Sequence, residues 1–157
     1  MATTLIHDQL ALTYPDSFAV MGADELREGY LDDNPNRWGI WDRNRHVIIV
    51  VYWHDSNAFL ARLVSTKDLA KRAQKLVAKA YTGHGYQLGQ FFETQVGGQQ
   101  AHGFGYRYDL QGTGQVAETI VTKYGKCCYT LYYYAREEGS PTDREVFKDV
   151  LRSASFA

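Results

Sequence analysis

Histidines, acids and cysteines are the side chains of this 157-residue chain that could carry out chemistry. Two histidines directly precede an aspartate, in His7-Asp8 and His54-Asp55, and a carboxylate can orient an imidazole for acid–base work or metal binding. Because adjacent strand residues point to opposite faces, neither pair is expected to act as a unit. The spacings typical of zinc sites and serine hydrolases do not occur. We therefore predict no metal site and no cofactor.

The two cysteines, Cys127 and Cys128, are adjacent in a run of aromatic residues that reads as a strand. A disulfide between such neighbours is geometrically awkward, so we predict two free thiols, which fits a reducing compartment. Apolar surroundings raise the pKa of a thiol, which favours a structural role for both cysteines. An enzyme with a site near His54-Asp55 or Cys128 remains an alternative.

One glycine motif resembles a cofactor-binding fingerprint. Gly112-Thr-Gly114-Gln-Val-Ala117 matches the G-x-G-x-x-A pattern that binds dinucleotides, but the residues on both sides are typical of strands. Without a following helix there is no helix N-terminus to hold a phosphate. The motif therefore predicts a hairpin turn.

Aromatic residues are the other candidates for a binding site, since the chain has 12 tyrosines, 7 phenylalanines and 3 tryptophans. Exposed tyrosine and tryptophan offer a large contact area at a low entropic cost. Trp38 and Trp41 are three residues apart, one at an even and one at an odd position, so in a regular strand their rings face opposite sides. Trp53 ends an apolar run. The candidate ligand or partner contacts are Trp38, Trp41, Trp53, His54 and Tyr132.

Charge is the last functional signal. The formal net charge of −1 argues against nucleic-acid binding, which needs many lysines and arginines. Residues 16–33 are acidic and residues 65–81 are basic. Within the basic segment, lysines recur every four residues and must line one row of a helix, which is a candidate face for an acidic partner or anionic lipid. The row consists of Lys67, Lys71, Lys75 and Lys79.

These residues lie in a pattern of strands and helices. Apolar and aromatic runs bounded by turn residues predict strands at Gln9–Tyr14, Phe18–Met21, Arg37–Asp42, His46–Trp53, Tyr86–Thr94, Gln99–Tyr108, Gln115–Lys123 and Lys126–Ala135, the last four forming an antiparallel meander. The run His46–Trp53 is apolar at both even and odd positions, so we expect both of its faces to be covered. A short helix is predicted over Asp24–Leu31. A long helix follows the capping box Ser65-Thr-Lys-Asp68, with Leu69, Ala73, Leu76, Val77 and Ala80 on its apolar face.

A closing helix is predicted after Ser140, with Ser140 as its N-cap and Pro141 at its first position. Its buried stripe is Val146, Phe147, Val150 and Leu151. The resulting fold class is α+β, an α/β/α sandwich with an antiparallel sheet of about six or seven strands between the two longer helices. A curved sheet wrapped around one helix, as in NTF-like cone folds, is the alternative.

The length suits one domain over residues 1–157. No apolar run approaches the roughly 20 residues that span a bilayer, and the first residues lack a cationic start and an apolar signal core. We therefore expect a cytoplasmic location for the chain as written, or export if a leader was removed.

Several strings resemble the PsbP-like fold of photosystem II extrinsic proteins, the yeast Ran-binding Mog protein and many small bacterial proteins. They are Leu10-Ala-Leu-Thr-Tyr-Pro-Asp-Ser-Phe18, the Gly97-Gly98-Gln-Gln-Ala101 turn before Phe104-Gly-Tyr-Arg-Tyr108, Gly125-Lys-Cys-Cys-Tyr-Thr-Leu-Tyr-Tyr133 and Phe147-Lys-Asp-Val-Leu-Arg-Ser-Ala-Ser-Phe156. The resemblance implies an α/β/α sandwich used as a non-catalytic binding or assembly module. It transfers no site, and it implies neither photosystem function nor bound manganese or calcium.

The functional expectation is a binding module, not an enzyme, that takes a protein partner or a small molecule in the cleft between sheet and helices. A self-associating structural subunit, which pairs through an exposed sheet face, is a further alternative. The expected state is a monomer or a homodimer.

Overall fold

A computed structural model describes residues 1–30, 32–57 and 62–157. Within these ranges the strands are β1 (Ala2–Ile6), β2 (Leu10–Tyr14), β3 (Ala19–Val20), β4 (Arg37–Asp42), β5 (Val47–Asp55), β6 (Gln87–Val96), β7 (Gln99–Leu110), β8 (Thr113–Tyr124), β9 (Cys127–Arg136) and β10 (Ser155–Phe156). The α-helices are α1 (Ala23–Tyr30), α2 (Thr66–Ala80) and α3 (Thr142–Arg152). The last residue of the first predicted helix, Leu31, lies outside the described residues.

Seven strands form a large antiparallel sheet in the order β3-β4-β5-β9-β8-β7-β6. The four runs from β6 to β9 pair as consecutive antiparallel neighbours, so the predicted meander is confirmed. Strand β5 joins it by pairing with β9, which places two strands that are far apart in sequence at the centre of the sheet. The predicted sheet of about six or seven strands is therefore present.

A second sheet contains three strands in the order β1-β2-β10. Strand β2 was predicted, but it pairs with β1 and β10 instead of joining the large sheet, and neither partner was predicted. Strand β10 has only two residues, Ser155 and Phe156. Such a short segment becomes a strand only because the fold brings it beside β2, so no local pattern marks it.

The two longer helices pack on opposite faces of the large sheet. We call the α3 face the side on which Phe147 of α3 stacks on Tyr133 of β9, with ring centroids 4.6 Å apart. The small sheet also packs against this face, in one continuous core. We call the α2 face the other side, where Ala73 and Val77 of α2 pack around Phe104 and Tyr106. The predicted α/β/α sandwich is confirmed.

Helix α2 begins as predicted, because the Ser65 hydroxyl accepts a hydrogen bond from the backbone N–H of Asp68 at 3.1 Å. Its buried face is rotated from the prediction. Thr66 and Ala70 are buried, while Leu76 is 70% exposed. The small side chains of the buried stripe bring the helix close to the sheet, and Leu76 lies about 100° around the helix from the packed Val77.

Helix α3 begins one residue later than predicted. Pro141 is the N-cap residue, and no side chain caps the helix, so the prediction of Ser140 as N-cap was wrong. The backbone N–H of Ser140 instead donates to the Glu137 carbonyl at 3.2 Å, which ends a short 3-10 turn over Glu137–Gly139. The predicted stripe is confirmed, since Phe147 and Val150 are buried.

The hairpin predicted at the glycine motif is confirmed. Strands β7 and β8 pair up to Leu110 and Thr113, which leaves Gln111 and Gly112 as the two-residue turn. Both turn residues have positive φ, 51° and 80°, the combination that a type I′ hairpin turn requires.

Candidate functional site

The five candidate contact residues do not form one site, because they lie on two faces of the sheet. Trp38 pairs with Val51, and Trp53 pairs with Tyr129, which places both tryptophans on the α3 face. The other three lie on the α2 face, where Trp41 pairs with Ile48, Tyr132 with Val50 and His54 with Cys128. The opposite orientation of Trp38 and Trp41 follows from their parity in the sequence.

Trp38 and Trp53 pack against the core of the α3 face. The Trp38 ring lies 5.6 Å from the ring of Tyr14, and the Trp53 ring stacks on His7 at 5.3 Å. Both rings are only partly buried, so each packs against the core with part of its surface and leaves the rest exposed.

Trp41 lies far from His54 on the α2 face. Its strand partner, Ile48, is six residues from His54 on β5, which is a separation of roughly 20 Å. The Arg43 guanidinium lies 4.1 Å from the centre of the Trp41 ring, a cation–π contact. The buried indole Nε1 has no hydrogen-bond partner in the described part of the chain.

His54 and Tyr132 belong to a group of rings around one arginine, which we call the tyrosine strip. The Arg37 guanidinium lies 4.1 Å from the ring centre of Tyr30 and 5.7 Å from that of Tyr52. The Tyr30 ring is 6.0 Å from Tyr132, and the Tyr52 ring stacks on His54 at 5.7 Å. The strip consists of Tyr30, Arg37, Tyr52, His54 and Tyr132.

The elements explain why the strip lies between the helices. On the α2 face, α1 packs on β4, and α2 packs on β7 and β8. The central strands β5 and β9, which carry Tyr52, His54 and Tyr132, run between these two regions. Tyr30 is the last residue of α1, so the helix end supplies the ring nearest to Arg37. The five side chains are all partly exposed.

Some polar groups of the strip have a partner within the protein, and others have none among the described residues. Arg37 forms an ion pair with Asp32, and this contact lowers the pKa of the Asp32 carboxyl. Burial raises the pKa of the Tyr30 and Tyr132 hydroxyls, so both stay neutral at physiological pH. Two buried polar atoms, Arg37 Nε and His54 Nδ1, have no hydrogen-bond partner among the described residues.

Three members of the strip, Tyr30, Arg37 and Tyr52, were not among the sequence candidates. The alternation that places Tyr52 and His54 on one face was visible in the sequence, and it could have added Tyr52. No local signal could have added the other two. Arg37 joins the strip through its pairing with Tyr52, and Tyr30 joins through the packing of α1.

Both thiols are free and buried, as predicted. Cys127 lies on the α3 face, and Cys128 lies on the α2 face opposite His54. Burial raises the pKa of Cys127 to about 11, with a further contribution from the nearby Asp55 carboxylate, and burial also raises the pKa of Cys128. A thiol that stays protonated at neutral pH is a weak nucleophile, which disfavours a thiol mechanism at Cys128.

The adjacent pair His54-Asp55 does not act as a unit. His54 and Asp55 point to opposite faces of β5. The fold instead brings His7 to Asp55, with His7 Nε2 3.7 Å from Asp55 Oδ1, and places Cys127 beside them. Within the described part of the chain, these three side chains lie close enough together to hold a metal ion.

The lysine row lies on the outer surface of α2, as predicted, and all four side chains are exposed. None of them forms an ion pair with a described residue, unlike Lys148 and Arg152 of α3, which pair with Glu145 and Asp149. Lys67 and Lys71 also line a cavity of about 300 Å³, together with Phe91 and His102.

None of the helices in the described part of the chain is long and apolar enough to cross a membrane.

The large sheet between α2 and α3, with the small sheet packed against its α3 face, gives the chain the PsbP-like fold. No family model and no curated protein matches the sequence. Solved structures do match. Cyanobacterial PsbP from Synechocystis is similar over 96% of this chain and 88% of its own, with a TM-score of 0.69 and 18% identity.

Two further structures have the same fold. LpqN of Mycobacterium tuberculosis, a protein involved in cell envelope biogenesis, matches with a TM-score of 0.64 and 14% identity, over 94% of this chain and 83% of its own. PA94 of Pseudomonas aeruginosa matches with a TM-score of 0.57 and 13% identity, over 98% of this chain and 94% of its own. At these identities the similarity establishes the fold, and function must be argued from this chain's residues.

Proposed function

We propose that this protein is a non-catalytic binding module and that the tyrosine strip contacts a small organic ligand. The observation that carries the proposal is the pair of buried, unpartnered atoms, Arg37 Nε and His54 Nδ1, on one partly exposed group of rings. A buried polar atom without a partner costs about 1 to 3 kcal/mol, and a ligand that supplies the missing hydrogen bond removes this cost.

The side chains of the strip indicate what such a ligand contains. Three tyrosine rings offer flat apolar contact area, and their hydroxyls can donate or accept hydrogen bonds. The guanidinium of Arg37 can only donate, so it requires an acceptor. We therefore infer a ligand with a flat ring and at least one hydrogen-bond acceptor, such as a carboxylate or carbonyl oxygen.

Substitution of His54 by phenylalanine tests this function. The change keeps a ring against Tyr52 and removes Nδ1, so we expect it to weaken ligand retention by about tenfold or more, from the loss of one buried hydrogen bond. The measurement is native mass spectrometry on wild-type and His54→Phe protein, both expressed in the source cells and purified gently. The expected wild-type spectrum contains one reproducible extra mass of small-molecule size, which is largely absent from the variant.

His84→Phe is the matched control, because His84 also lies beside a tyrosine, Tyr81, with ring centroids 6.5 Å apart, but outside the strip. The control should retain the extra mass at the wild-type level. Wild-type protein without any added mass, or equal retention by all three proteins, would reject a small-molecule role for the strip.

The lysine row supports a second contact, with the acidic surface of a partner protein. Four exposed lysines that form no ion pair with a described residue make a positive face, and Leu76, 70% exposed on the same helix, adds an apolar contact. Such a contact falls in strength as salt screens the charges, with a screening length of about 8 Å at physiological ionic strength. The binding module would then have a partner at α2 and a ligand at the strip.

Replacing three lysines by glutamine, at Lys67, Lys71 and Lys75, should weaken binding of an acidic probe by about tenfold at low salt. The probe is polyglutamate, and affinity is measured by fluorescence anisotropy over a series of salt concentrations. The control is Lys148→Gln with Arg152→Gln, which removes cations already paired within α3. An affinity independent of salt, or an equal loss in the control, contradicts the role of the row.

A further inference from the structure

We propose that His7, Asp55 and Cys127 form a binding site for a zinc ion. One imidazole nitrogen, one carboxylate oxygen and one thiol sulfur lie within 4.8 Å of one another. This site goes beyond the proposed ligand-binding function. It lies on the α3 face of the sheet, and the tyrosine strip lies on the other face.

Three separate elements bring the donors together. Asp55, the last residue of β5, pairs directly with Cys127, the first residue of β9, so their side chains lie on the same face. His7 follows β1 in the turn to β2 and has a left-handed backbone, with φ of 51°. Its ring stacks on Trp53 with an interplanar angle of 24°, which restricts its orientation beside Asp55.

The donor set matches the chemistry of zinc. Zn²⁺ in proteins takes thiolate, imidazole and carboxylate ligands in a tetrahedral arrangement, with bond lengths of about 2.0 to 2.3 Å. Such bonds place ligand atoms about 3.3 to 3.7 Å apart. His7 Nε2 and Asp55 Oδ1 are 3.7 Å apart, and all three ligand atoms lie within 4.8 Å of one another, so the donors must move together by about 1.5 Å at most to bind zinc.

The exposure of the three side chains favours a zinc ion that is accessible to solvent and keeps one coordination position free. The Asp55 side chain is 58% exposed and that of His7 is 35% exposed, while Cys127 is buried beneath them. Zinc can therefore approach from solvent, and water can fill the fourth position. Binding forms a Zn–S bond to Cys127, and the displaced thiol proton passes to solvent. The carboxylate and the thiolate together neutralise the charge of the dication.

Cobalt and zinc titrations test the site on the full-length protein. We expect one equivalent of Co²⁺ to produce the sulfur-to-metal absorption band of a thiolate ligand and Zn²⁺ to displace it. Zinc affinity is then measured by competition with a chromophoric chelator. Substitutions at the exposed ligands, His7→Gln and Asp55→Asn, should each lower this affinity by about tenfold or more. Cys127→Ser should also abolish the absorption band.

Cys128→Ser is the matched control, because it removes the neighbouring thiol on the opposite face. It should keep both the band and the wild-type zinc affinity. The proposed zinc site is wrong if the wild-type protein binds no zinc in the micromolar range. It is also wrong if the absorption band survives in Cys127→Ser and disappears in Cys128→Ser. His7→Gln and Asp55→Asn change exposed side chains, so the test stands even if Cys127→Ser fails to fold.

Discussion

Replacement of Phe147 by alanine is expected to lower the free energy of unfolding by about 3 to 5 kcal/mol, the range for removal of a large aromatic side chain from a core. The side chain is 1% exposed and stacks almost parallel on Tyr133, with an interplanar angle of 6°. This contact joins α3 to the centre of the large sheet. Urea denaturation, followed by circular dichroism, measures the change.

Two neighbouring substitutions serve as controls for Phe147. Val146→Ala on the same helix removes a partly buried side chain and should cost only about 1 kcal/mol. Tyr133→Phe keeps the stacked ring and removes a buried hydroxyl that has no partner among the described residues, so stability should stay within about 1 kcal/mol or rise. A loss below about 1 kcal/mol for Phe147→Ala would mean that α3 does not contribute to the core as we describe.

Gly103→Ala is the second substitution with a large expected effect, a loss of about 3 kcal/mol or more. An added Cβ would lie 2.6 Å from the Thr119 carbonyl oxygen and 2.9 Å from both Ile120 Cγ1 and Phe92 Cζ. The Thr119 carbonyl belongs to the backbone of β8, which cannot move away without disturbing its pairing with β7. The thermal unfolding midpoint and urea denaturation both measure the loss.

Gly105→Ala is the matched control, two residues along the same strand and on the same face of the sheet. There the added Cβ meets its nearest atoms at 3.8 Å, which is ordinary van der Waals contact. The control should be neutral or gain about 0.4 to 1 kcal/mol, because alanine has fewer unfolded conformations than glycine. Equal losses at both positions would show that strand propensity, and not crowding at Gly103, determines the effect.

Most of the large sheet could be predicted from the sequence because its signals are local. Apolar and aromatic runs marked β4, β5 and the meander from β6 to β9, and glycines such as Gly112 marked where the hairpins reverse. The capping box placed the start of α2 in the same way. Strand β10 and the small sheet were missed because their two-residue and five-residue strands depend on partners from both ends of the chain.

The candidate sites were predicted less well, because each depends on contacts between distant residues. The alternation of side chains along a strand correctly placed Trp38 and Trp41 on opposite faces of the sheet. It could not show that Trp53 would stack on His7 or that Tyr30 would reach Arg37. The sequence drew attention to His7-Asp8 and His54-Asp55 as pairs, and the fold places His54 and Asp55 on opposite faces of β5. It unites His7 with Asp55 instead.

The faces of the strands, the start of the long helix, the two free thiols and the class of the fold could be predicted from the sequence alone. These properties depend on periodicity and on neighbours in the chain. The small sheet, the tyrosine strip and the trio of His7, Asp55 and Cys127 depend on the three-dimensional fold. Antiparallel pairing and helix packing bring together residues that lie more than 40 positions apart in the chain, as in the trio, and no local pattern encodes that proximity.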